Sequence, residues 1–140
     1  MKNNPAAVIP EEIILPDLSR ETLCIMDNAQ DLIAFHEPES GKYLKLSKSF
    51  YKTTGYTPEE LVGANPYDFF HEDDIEEISS SHKKVLNGEN HSVTYRYKIK
   101  DGTYLWFETK TDFTGKYLIT ATRDVTERIN LQEENTKLAN

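Results

Sequence analysis

Two stretches decide the fold of this chain: YRYKIKDGTYLWFE at residues 95–108 and DVTER at residues 124–128. The first begins with apolar and polar residues in alternation, the period-two pattern of a strand with one buried face. Asp101-Gly102 then predicts a two-residue hairpin turn, because such turns require positive φ. The second stretch places a helix start directly at the end of a strand. A sheet that runs straight into a polar helix suits the transmission of a conformational change better than the turnover of a substrate.

Length and composition limit the classes of protein that this chain can belong to. Its 140 residues, 37% of them hydrophobic, support one domain with a single core. The net charge of −8 argues against a nucleic-acid partner, which would require a basic face. Cys24 is the single cysteine, so an internal disulfide is excluded and a reducing compartment is predicted. No stretch approaches the roughly 18 apolar residues of a membrane span, and we expect a cytoplasmic location.

The remaining elements follow from local start and stop signals. Three prolines argue against a regular helix in the N-terminal extension, residues 1–18. Predicted strands at 32–35, 43–46, 93–99, 104–113 and 117–123 alternate with turn residues. Helices are predicted from Ser19 to about Ala29, over 49–54, after a Thr57–Glu60 capping box, from Asp74 to Asn87-Gly88, and from Asp124 onward.

The C-terminal segment, residues 125–140, is predicted to be a helix that leaves the domain. It contains neither Gly nor Pro, and Asp124 to Glu127 forms a second capping-box pattern. Leu131, Asn135 and Leu138 have the spacing of core positions in paired helices, where a buried Asn sets the register. We therefore expect this helix to contribute to a homodimer.

Several short motifs follow one another in a characteristic order: TGYTPEELVG at 54–63, FHEDD at 70–74, Tyr95-Arg96, Asp101-Gly102, Trp106 and DVTER at 124–128. With the order of the elements, these motifs resemble the PAS family of sensor domains, of the sensory-box type with a C-terminal PAC motif found in bacterial and archaeal signalling proteins. The resemblance covers about residues 19–128, with two departures: Glu72 replaces a common Pro, and Ser47 replaces a common Asn.

This resemblance implies an α+β fold. A five-stranded antiparallel sheet would carry short helices on one face, with an N-terminal flanking helix and a C-terminal exit helix. The sensor domain would span residues 19–124, and residues 125–140 would begin the linker to an effector domain, such as a histidine kinase or a cyclic-nucleotide-signalling enzyme. The domain itself is expected to be non-catalytic, to bind a small ligand or partner, and to dimerise.

His82 is the most informative candidate for a ligand contact. It lies on the apolar stripe of the longest middle helix, together with Ile78 and Val85. It would be either a polar contact inside a pocket or a core-edge histidine paired with a carbonyl group or water. The predicted ligand-binding set is completed by aromatic residues that should face the same interior: Phe50, Phe69, Tyr95, Tyr97 and Phe107.

Cofactors and metals are not indicated. The resemblance places a haem histidine near Glu77 or Ile78, and neither position is His, so haem is not expected. Where flavin photoreceptors carry their reactive cysteine this chain has Pro66, which excludes a covalent flavin–thiol adduct but leaves non-covalent flavin open. His71, Asp73 and Asp74 are interpreted as a helix cap and dipole-favoured acids rather than as metal ligands.

Three residues are predicted to relay a signal: Trp106 on the outer face of the sheet, and Asp124 and Thr126 at the start of the exit helix. The favoured hypothesis is a sensory domain that shifts between two arrangements. Two alternatives stay open, a ligand-free dimerisation and spacer module and a small enzyme that would depend on His82. The sequence does not identify the ligand, the output domain or the geometry of the dimer.

Overall fold

A computed structural model describes residues 19–139 as one antiparallel sheet with helices against it. The strands are β1 (Leu32–His36), β2 (Tyr43–Leu46), β3 (His91–Lys98), β4 (Tyr104–Phe113) and β5 (Leu118–Asp124). The α-helices are α1 (Arg20–Asn28), α2 (Lys48–Thr54), α3 (Pro58–Leu61), α4 (Ile75–Leu86) and α5 (Thr126–Ala139). The predicted N-terminal extension lies outside the described residues.

The strand order is β2-β1-β5-β4-β3, and every pairing is antiparallel. The last strand therefore lies in the centre, between β1 and β4, with Leu32 opposite Thr122 on one side and Thr109 opposite Thr122 on the other. This confirms the predicted fold class. A displacement of β5 would therefore act on the strands on both sides of it.

One face of the sheet carries the core. Along β3 the side chains of Val93, Tyr95 and Tyr97 are buried, and the residues between them are partly exposed, as the alternating pattern predicts. The short helices and α4 cover this inner face, and Leu61 and Val85 are almost completely buried there. Within the described residues, no helix is long and apolar enough to cross a membrane.

Chain segments run beside part of each edge of the sheet. On the β3 edge, the Lys98 N–H donates to the Phe69 carbonyl at 2.8 Å and the His71 N–H donates to the Arg96 carbonyl at 3.1 Å. On the β2 edge, Tyr43 exchanges hydrogen bonds with residues 63–64. These paired parts of the edges do not offer free backbone groups to another strand.

The β3–β4 connection differs from the predicted two-residue turn. The Ile99 N–H donates to the Thr103 carbonyl and the Gly102 N–H donates to the Ile99 carbonyl, both at 2.9 Å. Gly102 has φ of +93°, and among the described residues only glycines have positive φ. A two-residue type I′ turn requires positive φ at both of its central residues, and Asp101 does not have it. The connection is therefore a longer loop.

The start of α4 lies where it was predicted, since Asp74 is the residue that precedes the helix, but the Asp74 side chain caps no N–H group of the helix. A short 3-10 turn, Glu72–Asp74, precedes the helix, and the His71 Nδ1 accepts from the Asp73 N–H at 3.1 Å. The Asp74 carboxylate instead accepts three hydrogen bonds from Arg96, from the backbone N–H at 2.8 Å, from Nε at 3.0 Å and from Nη2 at 2.8 Å. Asp74 thus binds the start of α4 to the edge strand.

Two other predicted helix signals are confirmed. The Glu60 carboxylate accepts from the Thr57 N–H at 3.0 Å, as expected of a capping box at the start of α3. Gly88, with φ of +91°, ends α4 as predicted, and its N–H donates to the Val85 carbonyl.

Replacing Asp74 with Ala should lower the free energy of unfolding by about 2 kcal/mol, because it removes charge-assisted hydrogen bonds that are largely shielded from water. Chemical denaturation measures the loss. The matched control is Asp73→Ala, since the Asp73 side chain is 70% exposed whereas that of Asp74 is 14% exposed. Equal losses in the two variants would contradict this account of the β3 edge.

Candidate ligand cavity and exit junction

A cavity of about 80 Å³ lies between α4 and the inner face of the sheet. Liquid water occupies roughly 30 Å³ per molecule, so the volume corresponds to about three waters. Drug-sized ligands usually occupy sites of roughly 300–1,000 Å³. The cavity therefore suits a molecule of only a few heavy atoms.

The structure distributes the seven predicted ligand-binding residues over two regions. Phe50, Ile78, His82 and Tyr95 line the cavity. The other three form an aromatic stack beside it, in which Tyr97 lies between Phe69 and Phe107 with ring-centroid distances of 5.4 and 5.1 Å. Phe50 lines the cavity and also packs against Tyr97 and Phe107, so the stack adjoins the cavity.

His82 combines the two roles that its sequence position left open. Its Nε2 lies 2.6 Å from the Pro38 carbonyl oxygen, and its Nδ1 lies 3.1 Å from the Tyr67 hydroxyl oxygen. A carbonyl can only accept, so Nε2 donates to Pro38, and Nδ1 is left to share a hydrogen with the Tyr67 hydroxyl. His82 thus lines the cavity and also holds the β1–β2 loop against α4.

His36 is a second cavity histidine, and the sequence analysis did not select it. Its Nδ1 lies 2.8 Å from the Gly41 carbonyl oxygen and its Nε2 lies 2.8 Å from the Thr120 Oγ1. Burial lowers the pKa of His36 to about 4, although the Gly41 hydrogen bond acts in the opposite direction. The ring is therefore neutral near pH 7, with the hydrogen on Nδ1.

Hydroxyl groups form the floor of the cavity. The Tyr95 hydroxyl lies 2.8 Å from the Thr109 Oγ1, which lies 2.7 Å from the Thr122 Oγ1. Burial raises the pKa of Tyr95 to about 12, so its hydroxyl keeps its hydrogen. Thr111 and Thr120 extend the row along β4 and β5.

Sequence reasoning missed these threonines as site residues. Thr109 and Thr111 are two residues apart on β4, and Thr120 and Thr122 are two residues apart on β5. Residues at this spacing in a strand face the same side of the sheet. That period-two threonine pattern, next to strands rich in aromatic residues, is the signal that could have indicated a polar inner face.

The exit helix is joined to β4 through the backbone of Trp106. The Val125 N–H donates to the Trp106 carbonyl, and the Trp106 N–H donates to the Thr126 Oγ1, both at 2.8 Å. The Thr126 hydroxyl donates to the Asp124 carboxylate at 2.6 Å, which also accepts the Thr126 N–H at 3.0 Å. Thr126, rather than Glu127, bonds to the Asp124 side chain, a difference from the predicted capping box.

The Trp106 ring lies on the outer face of the sheet, where it was predicted. The Arg96 guanidinium lies over this ring, 4.9 Å from its centroid, while its nitrogens bond to Asp74. The side-chain hydrogen bond with Asp74 raises the pKa of Arg96, so the guanidinium stays charged and the contact is a cation–π interaction. The start of α4 is thereby connected to the strand that holds the exit helix.

Leucine side chains are exposed along the exit helix. Leu131 is 52% exposed and Leu138 is 79% exposed, and Asn135 between them is also exposed. Among the described residues, no group of three or more His, Cys, Asp or Glu side chains is placed to hold a metal ion.

The comparisons with known proteins agree with this architecture. The family model described as the PAS fold matches residues 43–117, more than half of the chain. The chain therefore belongs to the PAS fold family. PAS domains are in general non-catalytic sensory and signalling modules.

The relatives and solved structures that this chain resembles include PAS domains. The protein called Circadian locomoter output cycles protein kaput, from Drosophila melanogaster, is 28% identical over 117 residues, which cover 77% of this chain. The PAS-B domain of Drosophila melanogaster Cycle, solved with bound ethylene glycol, is 26% identical with a TM-score of 0.61 and covers 66% of this chain and 98% of that one.

A domain of a sensory box sensor histidine kinase/response regulator from Geobacter sulfurreducens has a TM-score of 0.64 at 19% identity and covers 72% of this chain and 89% of that one. This likeness shows the fold alone. The chain spans only 11% to 13% of the length of the first curated relatives that it matches. Those relatives therefore contain much more than a domain of this kind.

The low pKa of His36 predicts a specific pH dependence of stability. The unfolded histidine binds its proton near pH 6.5 and the folded one only near pH 4, so the unfolded state gains protons as the pH falls. The His36 contribution is complete above about pH 6.5, and below it the free energy of unfolding should fall by up to about 1.4 kcal/mol per pH unit. Denaturant titrations from pH 7 to pH 5 measure this slope.

The slope should be reduced in His36→Gln. His71→Gln serves as the matched control, because His71 lies outside the cavity on the β3 edge. If the wild type and His36→Gln lose stability with the same slope, His36 is not the group responsible.

Proposed function

We propose that this chain is a sensory PAS domain that binds a small molecule in the cavity and transmits the binding through β4 to α5. One observation carries this proposal: the same strand serves both sites. Thr109 lines the cavity, and three residues earlier on β4 the backbone of Trp106 holds the first turn of α5. A ligand that changes the twist of β4 would change both hydrogen bonds of Trp106.

The proposed mechanism is a population shift between two arrangements of the exit helix. The hydrogen bonds that join Trp106 to Val125 and to Thr126 are both 2.8 Å long. A small displacement of Trp106 would therefore stretch them or move the start of α5. A second connection starts at α4, which lines the cavity, and passes through Asp74 and Arg96 to the Trp106 ring. A ligand that favours one position of α4 would bias the same junction.

The relatives support this assignment by analogy. The Cycle PAS-B domain, which is 26% identical, holds ethylene glycol in its solved structure. For the present chain we propose an output domain that follows α5, with a histidine kinase as the leading candidate. Its cytoplasmic location stays a prediction.

The second candidate is a ligand-free dimerisation and spacer module. The exposed Leu131 and Leu138 favour it, because apolar side chains on a helix that leaves the domain suit a paired helix. The two candidates are compatible as far as the homodimer is concerned. They differ in whether the cavity has a ligand.

Thr126→Val should loosen the exit helix, because it removes the acceptor for the Trp106 N–H and the donor to Asp124. We expect hydrogen–deuterium exchange to increase at least about fivefold in the first turns of α5, in line with the loss of one or two net hydrogen bonds. Thr136→Val is the control, since Thr136 lies in the same helix and its hydroxyl donates only to the Gln132 carbonyl. Equal exchange in all three proteins would refute the junction as the relay.

Native mass spectrometry should show a homodimer at micromolar concentration. Leu131→Lys should raise the dimer dissociation constant at least about tenfold, because it places a charge in the apolar seam. Gln132→Lys is the matched control, as Gln132 is an exposed neighbour on the same helix. A monomer in all samples would remove the dimer from both candidate functions.

A further inference from the structure

The connection between β1 and β2, residues 37–42, is a compact loop that we call the gate loop. The Glu37 carboxylate accepts from the backbone N–H groups of Glu39 and Ser40 at 2.8 and 2.9 Å. The Gly41 N–H donates to the Glu37 carbonyl at 2.8 Å. Because these hydrogen bonds lie within the loop, we expect it to move as one unit.

The gate loop is tied to both walls of the cavity, in each case through a backbone carbonyl and a cavity histidine. On the sheet, Nδ1 of His36 donates to the Gly41 carbonyl at 2.8 Å. On α4, Nε2 of His82 donates to the Pro38 carbonyl at 2.6 Å, and among the described residues no other hydrogen bond joins the gate loop to this helix. Since both ends of the loop continue into strands, the contact with α4 is the one that can open while the sheet stays intact.

The gate loop borders much of the solvent-facing side of the cavity. Most lining side chains are buried, and the partly exposed ones are Tyr67, Phe70, His82, Thr111 and Thr120. A methyl group added at Gly41 would lie 3.8 Å from Cε1 of His82 and 3.9 Å from Cε1 of Tyr67, so the loop packs against both rings. Thr120 bonds to His36, the residue that precedes the loop. A displacement of the loop would therefore open this side of the cavity to solvent.

The His82 ring has no free nitrogen for a molecule in the cavity. Its Nε2 is engaged by the Pro38 carbonyl, and its Nδ1 lies 3.1 Å from the Tyr67 hydroxyl oxygen and shares a hydrogen with it. An occupant could bond to this ring only after the ring had left one of these partners. The position of His82 therefore suits control of access better than recognition of the occupant.

We propose that the gate loop is the entrance of the cavity and that His82 is its latch, so that a small molecule enters or leaves when the His82–Pro38 hydrogen bond opens. The loop then turns about its connections to β1 and β2, and the His36–Gly41 hydrogen bond keeps it on the sheet. His82 thereby sets the rate of exchange through this entrance. This inference rests on the proposed function, since it names the route into the same cavity.

A thiol inside the cavity reports the opening of the gate loop without any ligand. Val85 lines the cavity and is 1% exposed, so Val85→Cys places a buried thiol there. Cys24, the single cysteine, is exposed, and Cys24→Ser removes its reaction. The full chain with these two substitutions is the parent protein of the test. The probe is methyl methanethiosulfonate, and mass spectrometry measures the second-order rate of modification.

Adding His82→Phe to the parent should raise this rate about fivefold, the effect of one lost net hydrogen bond. His82→Gln should keep the rate of the parent, because the amide nitrogen of glutamine can replace Nε2 as the donor to Pro38. His91→Phe is the matched control. His91 also bonds to α4, through the Ser81 Oγ at 2.8 Å, but this bond does not involve the gate loop, and the rate should stay that of the parent.

Urea separates local opening from global unfolding. A rate in His82→Phe that hardly changes with urea below the unfolding transition reports the gate loop. A rate that rises in proportion to the unfolded fraction shows a general loss of stability and overturns the latch. Equal rates in the parent and in His82→Phe overturn it as well, as does an equal acceleration in His91→Phe.

Ethylene glycol as a second probe separates this inference from the proposed function. At high millimolar concentration, because so small a ligand binds weakly, it should occupy the cavity of the parent and slow the modification. If it leaves the rate unchanged while His82→Phe still raises the rate, the latch is supported and the ligand-binding part of the proposed function is contradicted. If it slows the modification while His82→Phe has no effect, the cavity binds a small molecule through another entrance, and the latch is overturned.

Discussion

Stacking of Tyr97 between Phe69 and Phe107 is the interaction on which the rest of the domain depends. The three rings lie nearly parallel, with interplanar angles of 16° and 27°. They come from three different places: the segment that closes the sheet edge, the edge strand and its neighbour. Because aromatic side chains bury large areas, one stack fixes all three relative to each other. α4 lies over the neighbouring part of the inner face, where the cavity remains.

The hydroxyl-lined part of the inner face adjoins this stack. Thr109 and Thr122 are smaller than the aromatic residues beside them, so a void remains under α4, and their hydroxyls bond to each other across the two strands. Such a row is costly to bury without complete pairing. Among the described residues the pairing is complete, since no buried side-chain nitrogen or oxygen is without a hydrogen-bond partner.

The strands were predictable because one face of each is buried, so period-two patterns are strong from Val93 to Ile99 and along β4. The prediction of a two-residue hairpin turn was wrong, because Gly102 has positive φ and Asp101 does not. The conformation of this loop depends on backbone hydrogen bonds across it, which the local sequence does not reveal. His82 was found because its helix has a clear apolar stripe. His36 was missed because a histidine in a short strand has no such signature, and its role depends on Thr120, distant in sequence. Local patterns thus predict elements better than they predict a site built from several strands.

The coupling of this sheet to α5 differs from an ordinary helix cap in one respect. Phe107 and Asp124 form the last residue pair of the β4–β5 ladder, and the next backbone groups of β4 belong to Trp106. Both are taken by the helix start, the carbonyl by the Val125 N–H and the N–H by the Thr126 hydroxyl. The ladder therefore continues into the first turn of the helix without a flexible residue between them. A rotation of β4 can be absorbed only by breaking one of these bonds or by moving α5, and the proposed relay depends on the second response.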